Sequence, residues 1–271
     1  MDGLPFAPDA AIREVDGEAV ILAGGGRALL MQIAHPLVAR GVAEHSEWRG
    51  DRFGRLLRTL RPMFAIVFGN ADEVRAAARG VNAVHRGVTG AGYEARDPEL
   101  LLWVHATLVD TALVCHRRFV RAVSPEREAR YYEETKLVGR LLGVPPSLLP
   151  PDLDAFNAYL DATIEILEVS ETARAIAREL CRPTPPFGPL IVPWREITAA
   201  LLPPRLREAY GMPWDPARAA LFEGLGALSR AVWPRLPRAL RCPPVLLLPP
   251  SARPRYALPA MGSAAYAPGA R

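Results

Sequence analysis

The chain has 271 residues, half of them hydrophobic and 23% charged, with 33 basic against 29 acidic side chains and a formal net charge of +4. That balance is ordinary for a globular protein, long enough for one large domain with a full core, and it excludes a disordered or polyionic chain. Positive charge is carried almost wholly by arginine, Lys136 being the only lysine. No basic run is interleaved with aromatics of the kind that stack nucleic-acid bases, so no nucleic-acid partner is expected.

Residues 1–16 are acidic and broken by proline, without the charged and apolar regions of a signal peptide, and read as an irregular arm. The most apolar window, Ala19 to Val38, is interrupted by Gly24, Gly25, Gly26, Arg27 and His35. It falls short of the run of about 20 apolar residues that a membrane span needs, so no integral span is expected. Cys115, Cys181 and Cys242 are far apart and form no CxxC pair. Such cysteines suit a reducing compartment, and a cytoplasmic location is the expectation.

Gly17 to Met31 reads as a helix whose glycines admit a close neighbour, and Pro36 opens a short helix over PLVARGVAEH. Next come DRFGRLLRTLRPMFAIVFG, closed by Gly69, and a helix that starts on the capping-box pair Asn70 and Glu73. Asp97-Pro98 and Ser124-Pro125 start two more helices, and Gly143 ends the second. After Pro145-Pro146 and Pro150-Pro151, helical patterns recur at 152–168, 171–182, 192–202, 204–210 and 216–231. No window alternates with period two, so no sheet is expected. From Pro243 the chain is too rich in Pro, Ala and Gly for regular structure, although Val245 to Leu248 can pack. The expected fold class is all-α, a single domain of about ten helices over 17–242, between an arm (1–16) and a partly disordered tail (243–271).

Arg55 and Thr59 are four residues apart and share a helix face, with Arg58 beside them, and His85 stands on the following helix next to an apolar stripe. His105 and His116, eleven residues apart, share a face of the longest helix, where an isolated histidine reads first as a hydrogen-bonded core residue. The chain has no HExxH, no ExxH and no GxSxG, which argues against a zinc hydrolase, a di-iron carboxylate bundle and a serine hydrolase. Its triple glycine has no GK[ST] after it and reads as close packing. Asp110, set among Leu and Val, needs a partner: the Thr107 hydroxyl or an arginine from a neighbouring helix. A heme b pocket needs an apolar slot, one axial imidazole and cations or hydroxyls around it. His85 with Arg55, Arg58 and Thr59 supplies that set.

The stretches GGRALLMQIAHPLVARGVAEHSEW, DRFGRLLRTLRPMFAIVFG, VNAVHRGVTG, DPELLLWVHATLVDTAL, YYEETKLVGRLLGVP and LPPRLREAYGMPW, in that order, resemble the family of MpaB-type oxygenases and the latex-clearing protein, over about residues 18–235. The resemblance implies an all-helical heme b protein that uses dioxygen. In the latex-clearing members an R-x-x-K-T pattern lies on the distal side of the heme, and here it reads Arg55-Leu56-Leu57-Arg58-Thr59. His85 fits the place of the proximal iron ligand, with Asn82 and Thr89 where those members carry arginines. Arg58 cannot ligate iron as the family's lysine does, because guanidinium stays protonated and offers no lone pair. His105 is the second choice of axial or pocket residue, followed by His35 and His45.

The expectation is a heme b (iron) oxygenase that takes dioxygen and an apolar small-molecule substrate, with electrons from a donor partner. The competing expectations are a non-catalytic helical protein that binds heme or an apolar molecule, and a scaffold with an Arg55–Asp110 ion pair.

Overall fold

The computed structural model describes residues 5–45, 52–182, 188–244 and 247–252, with the side chains of 52–56 and 188–190 outside that description. Short polar residues set most helix starts. Asn70 accepts hydrogen bonds from the backbone N–H of Asp72 and Glu73, both 3.0 Å, while Glu73 accepts from Asn70 at 2.9 Å. This capping box begins α5 (Ala71–Arg86), which packs back on α4 (Arg52–Phe68) across the Gly69-Asn70 turn. Asp97 caps α6 (Pro98–Phe119), and Ser124 caps α7 (Pro125–Leu141). Gly143, at φ +102°, ends α7 in a Schellman turn, with Val144 N–H donating to Gly139 O at 2.9 Å and Gly143 N–H to Arg140 O at 3.1 Å.

The fold is all-α, as expected, with α6 as its axis. Around α6 pack a six-residue 3₁₀ turn (Ala19–Gly24), α2 (Gly25–Ala34), α7 and α12 (Pro216–Val232). Leu101, Trp103, Ala106, Val109 and Leu113 of α6 are buried, and Trp103 Nε1 donates to the last carbonyls of α2. Among the described residues α6 is the one helix long and apolar enough to cross a membrane by itself, and most of its apolar window is buried inside the domain. α8 (Leu153–Ile166), α9 (Glu171–Leu180), α10 (Gly188–Leu201), α11 (Pro204–Ala209) and the short α13 (Arg238–Arg241) complete the shell.

The structure differs from the sequence reading at three places. Within the expected arm, Ala11–Val15 forms α1 and buries Ala11, Ile12 and Val15 against α7, with Ile12 N–H donating to Glu134 at 2.8 Å. Five residues carry too little periodicity to announce a helix. The helix expected over 17–31 is split into the 3₁₀ turn and α2, and at their junction Gly24 packs so close to α6 that a side chain would meet Cys115 Sγ and Thr111 Cγ2 at about 2.6 Å or less. The chain then bends by 107° into α3 (Pro36–His45). Thr89–Gly90 and Tyr93–Glu94 pair as a two-stranded antiparallel ribbon, β1 and β2, closed by Gly92 at φ +81°. In the tail, Leu247 and Leu248 are buried against Phe64 of α4, in line with the packing expected there, while 245–246 and 253–271 lie outside the described residues.

Candidate functional site

An apolar cavity of about 370 Å³ lies between α4, α6 and α7. Leu57, Leu60, Phe64 and Val67 recur on one face of α4 and form one wall. Leu108, Val109 and Ala112 of α6 and Val138 of α7 form another, and Ile21, Leu22 and Leu247 close the rest. Gly25 is exposed and also lines the cavity; a side chain there would meet nothing within 4 Å.

Five polar side chains reach this lining: Asp16, His105, Thr111, Tyr131 and Thr135. Two are already committed. Thr135 Oγ1 donates to Tyr132 O at 2.7 Å, and Thr111 Oγ1 accepts from Arg27 Nη1 at 2.7 Å. Behind the wall Arg27 is buried with every nitrogen partnered: Nε donates to Leu201 O at 2.8 Å and Nη2 lies 2.6 Å from Asp110 Oδ2. The partner of Asp110 is therefore Arg27 of α2. Thr107 donates instead to Val104 O, and the side chain of Arg55, the partner expected in the scaffold reading, lies outside the described residues. The choice of arginine was not legible because it depends on which helix packs beside α6.

The three remaining groups are His105, Asp16 and Tyr131. His105 is buried, its Nε2 has no hydrogen-bond partner, and burial pushes its pKa down to about 4. It is a neutral imidazole beside Gly139, whose lack of a side chain leaves the ring its space. Asp16 follows α1 directly and accepts a hydrogen bond from the Tyr131 hydroxyl at 3.1 Å. Burial raises the Asp16 carboxyl to about 7, against a lesser opposing pull from that bond, and raises the Tyr131 hydroxyl well above its ordinary value.

The other sequence candidates stand elsewhere. His85, near the end of α5, is half-buried, its Nδ1 has no hydrogen-bond partner, and burial lowers its pKa. Arg58 and Thr59 are exposed on α4, turned away from the face that lines the cavity, and the side chain of Arg55 lies outside the described residues. The two-residue turn makes α4 and α5 a hairpin. Residue 85 therefore stands level with the first turns of α4, the stretch that carries 55, 58 and 59. His35 ends α2, where its Nδ1 accepts from Leu37 N–H at 3.3 Å, and His45 at the end of α3 pairs its Nε2 with Thr89 O at 2.9 Å. Of the sequence candidates with described side chains, the cavity takes in His105 alone. Among the described residues no three His, Cys, Asp or Glu side chains gather as a metal site. Asp16 and Tyr131 were missed because Asp16 lies in no motif, Tyr131 carries no local signal that singles it out within the YYEETKLVGRLLGVP stretch, and their elements meet only in the folded chain.

A family model described as ER-bound oxygenase mpaB/B'/Rubber oxygenase, catalytic domain, matches residues 12–231. The uncharacterised proteins Mb2261 of Mycobacterium bovis and Rv2237 of Mycobacterium tuberculosis are each 28% identical to the chain over 221 residues, 74% of this chain and 84% of theirs. No solved structure matches. An all-helical domain around an apolar cavity, matched from α1 to the end of α12, belongs to the mpaB and rubber oxygenase catalytic-domain family.

Proposed function

We propose that this oxygenase-family domain carries heme b and oxidises an apolar organic substrate with dioxygen. The observation that carries the reading is the cavity, walled almost wholly by aliphatic and aromatic side chains inside a domain of an oxygenase family. Such a lining draws an apolar molecule out of water and holds it beside few competing polar groups.

The residues present supply the kind of ligand that a porphyrin iron takes. Its iron brings four nitrogens of its own and asks the protein for one neutral imidazole. His85 meets that need with an unpaired buried nitrogen and a pKa held down by burial, and the family resemblance implies an iron ligand there. His85 holds the iron in this reading, and Arg55, Arg58 and Thr59 at the same end of the hairpin provide cations and a hydroxyl around it. Heme supplies the activation of dioxygen. The chain's own contribution is to hold the imidazole neutral, to keep water from the substrate through Leu57, Leu60 and Phe64, and to place donors where negative charge develops. His105, neutral and inside the cavity, is the second imidazole available.

Hemin titration of the purified chain tests this. Saturation at one hemin per chain, with oxygen uptake that requires hemin, a reductant and an apolar substrate, is the expected result. A chain that binds apolar probes but takes up no hemin would leave the non-catalytic binding protein as the function.

A further inference from the structure

The cavity has one polar corner that neither the core nor the proposed heme chemistry uses. Asp16 and Tyr131 both line it, and the Tyr131 hydroxyl donates to Asp16 Oδ1 at 3.1 Å. Among the described residues Asp16 Oδ2 has no hydrogen-bond partner and the carboxyl has no cation paired with it. Its position is not explained by stability. A carboxyl at a helix C-terminus opposes the helix dipole, and a carboxyl without a cation among apolar side chains is costly to bury. The nearby arginine of the same turn, Arg13, lies over the Phe68 ring at 5.6 Å, and its Nε and Nη2 make no hydrogen bond. Asp16 is half-buried as a residue and lines the cavity.

We propose that the Asp16–Tyr131 pair is the recognition site for a hydroxyl group of the substrate, so that the substrate is an apolar alcohol and not a pure hydrocarbon or a carboxylate. Asp16 Oδ2 accepts from the substrate O–H, Tyr131 keeps the carboxyl oriented, and the apolar remainder lies along the aliphatic walls. A substrate carboxylate is disfavoured because it brings a second acid to a corner that has no paired cation. The corner stands apart from His105: Tyr131 lies eight residues before Gly139, the neighbour of His105, which is about 12 Å along α7. This inference rests on the reading of the cavity as the substrate chamber.

The test is calorimetric titration of the full chain, as purified and after hemin loading, with octanol, its isomer methyl heptyl ether and octanoate. The ether has the same size but no hydroxyl proton. Octanol is expected to bind about tenfold tighter than the ether, the worth of one hydrogen bond to a buried group, and octanoate weakest. Tyr131→Phe and Asp16→Ala are expected to weaken octanol about tenfold and leave the ether unchanged, so the preference disappears. Tyr131→Phe keeps the ring and its packing, and decides the matter alone if Asp16→Ala does not fold.

Equal affinity for alcohol and ether in the wild type, a preference that survives in the variants, or no binding of any of the three probes would each overturn the proposal. The heme reading fails separately, by absence of a Soret band on hemin addition, and the variants are expected to keep the wild-type band.

Discussion

At the scale of single residues, two buried titratable groups in one cavity respond to pH in opposite senses. His105 is held neutral, with its folded pKa pushed down to about 4, so the unfolded chain binds its proton more readily. Its contribution to stability is present above the ordinary histidine value of about 6.5 and is lost as pH falls through that window. Asp16 is shifted the other way, to about 7. The folded state then binds the proton more tightly, and that contribution is present below the ordinary carboxyl range and lost as pH rises towards 7. Thermal melts of the wild type and Asp16→Asn across this range are expected to differ in slope, the wild type losing stability relative to the variant as pH rises from about 4 to about 7. Parallel curves would mean that the carboxyl titrates normally and that its corner is open to water. Cys115 offers a control at the same scale: burial pushes its thiol up to about 12, so alkylation at neutral pH is expected to require unfolding.

At the scale of elements, the Arg27–Asp110 pair ties α2 to α6 behind the cavity wall. Asp110→Asn leaves a buried guanidinium short of its counter-charge and is expected to cost about 3 kcal/mol in chemical denaturation, against a few tenths for an exposed pair such as Arg75–Asp72. A loss under about 1 kcal/mol would show that the pair is solvated. The glycines at the start of α2 divide the same way. Gly24 has no room for a methyl group beside Cys115 and Thr111, so Gly24→Ala is expected to lower stability by about 1–3 kcal/mol. Gly25 faces open space within the cavity lining, so Gly25→Ala is expected to be tolerated by the fold and to reduce probe affinity in the cavity. A melt in which the two variants behave alike would contradict this placement.

What was legible follows from these scales. Asn70, Asp97 and Ser124 announced helix starts because a cap is a local hydrogen bond, read within three or four residues. The tight glycine at 24 was legible as close packing, but its neighbours were not, since Thr111 and Cys115 reach it only through the packing of α6. The cavity was invisible in the sequence for the same reason. Its walls join α1, α4, α6 and α7, and the pattern that makes Leu57, Leu60 and Phe64 apolar reads equally well as ordinary core.

For the whole molecule, the account joins an oxygenase-family helical domain, an apolar chamber with one hydrogen-bonding corner, and a hairpin that carries His85 level with the start of α4. Its central claim is that the domain takes up heme through a protein imidazole. The most direct measurement is the absorption spectrum of the hemin-loaded chain beside His85→Ala and His105→Ala, each variant first checked for wild-type helicity. The account predicts a Soret band in the wild type, lost or shifted in His85→Ala and retained in His105→Ala. A band lost only in His105→Ala would move the iron into the cavity, and a wild type that stays colourless with hemin would contradict the heme oxygenase reading outright.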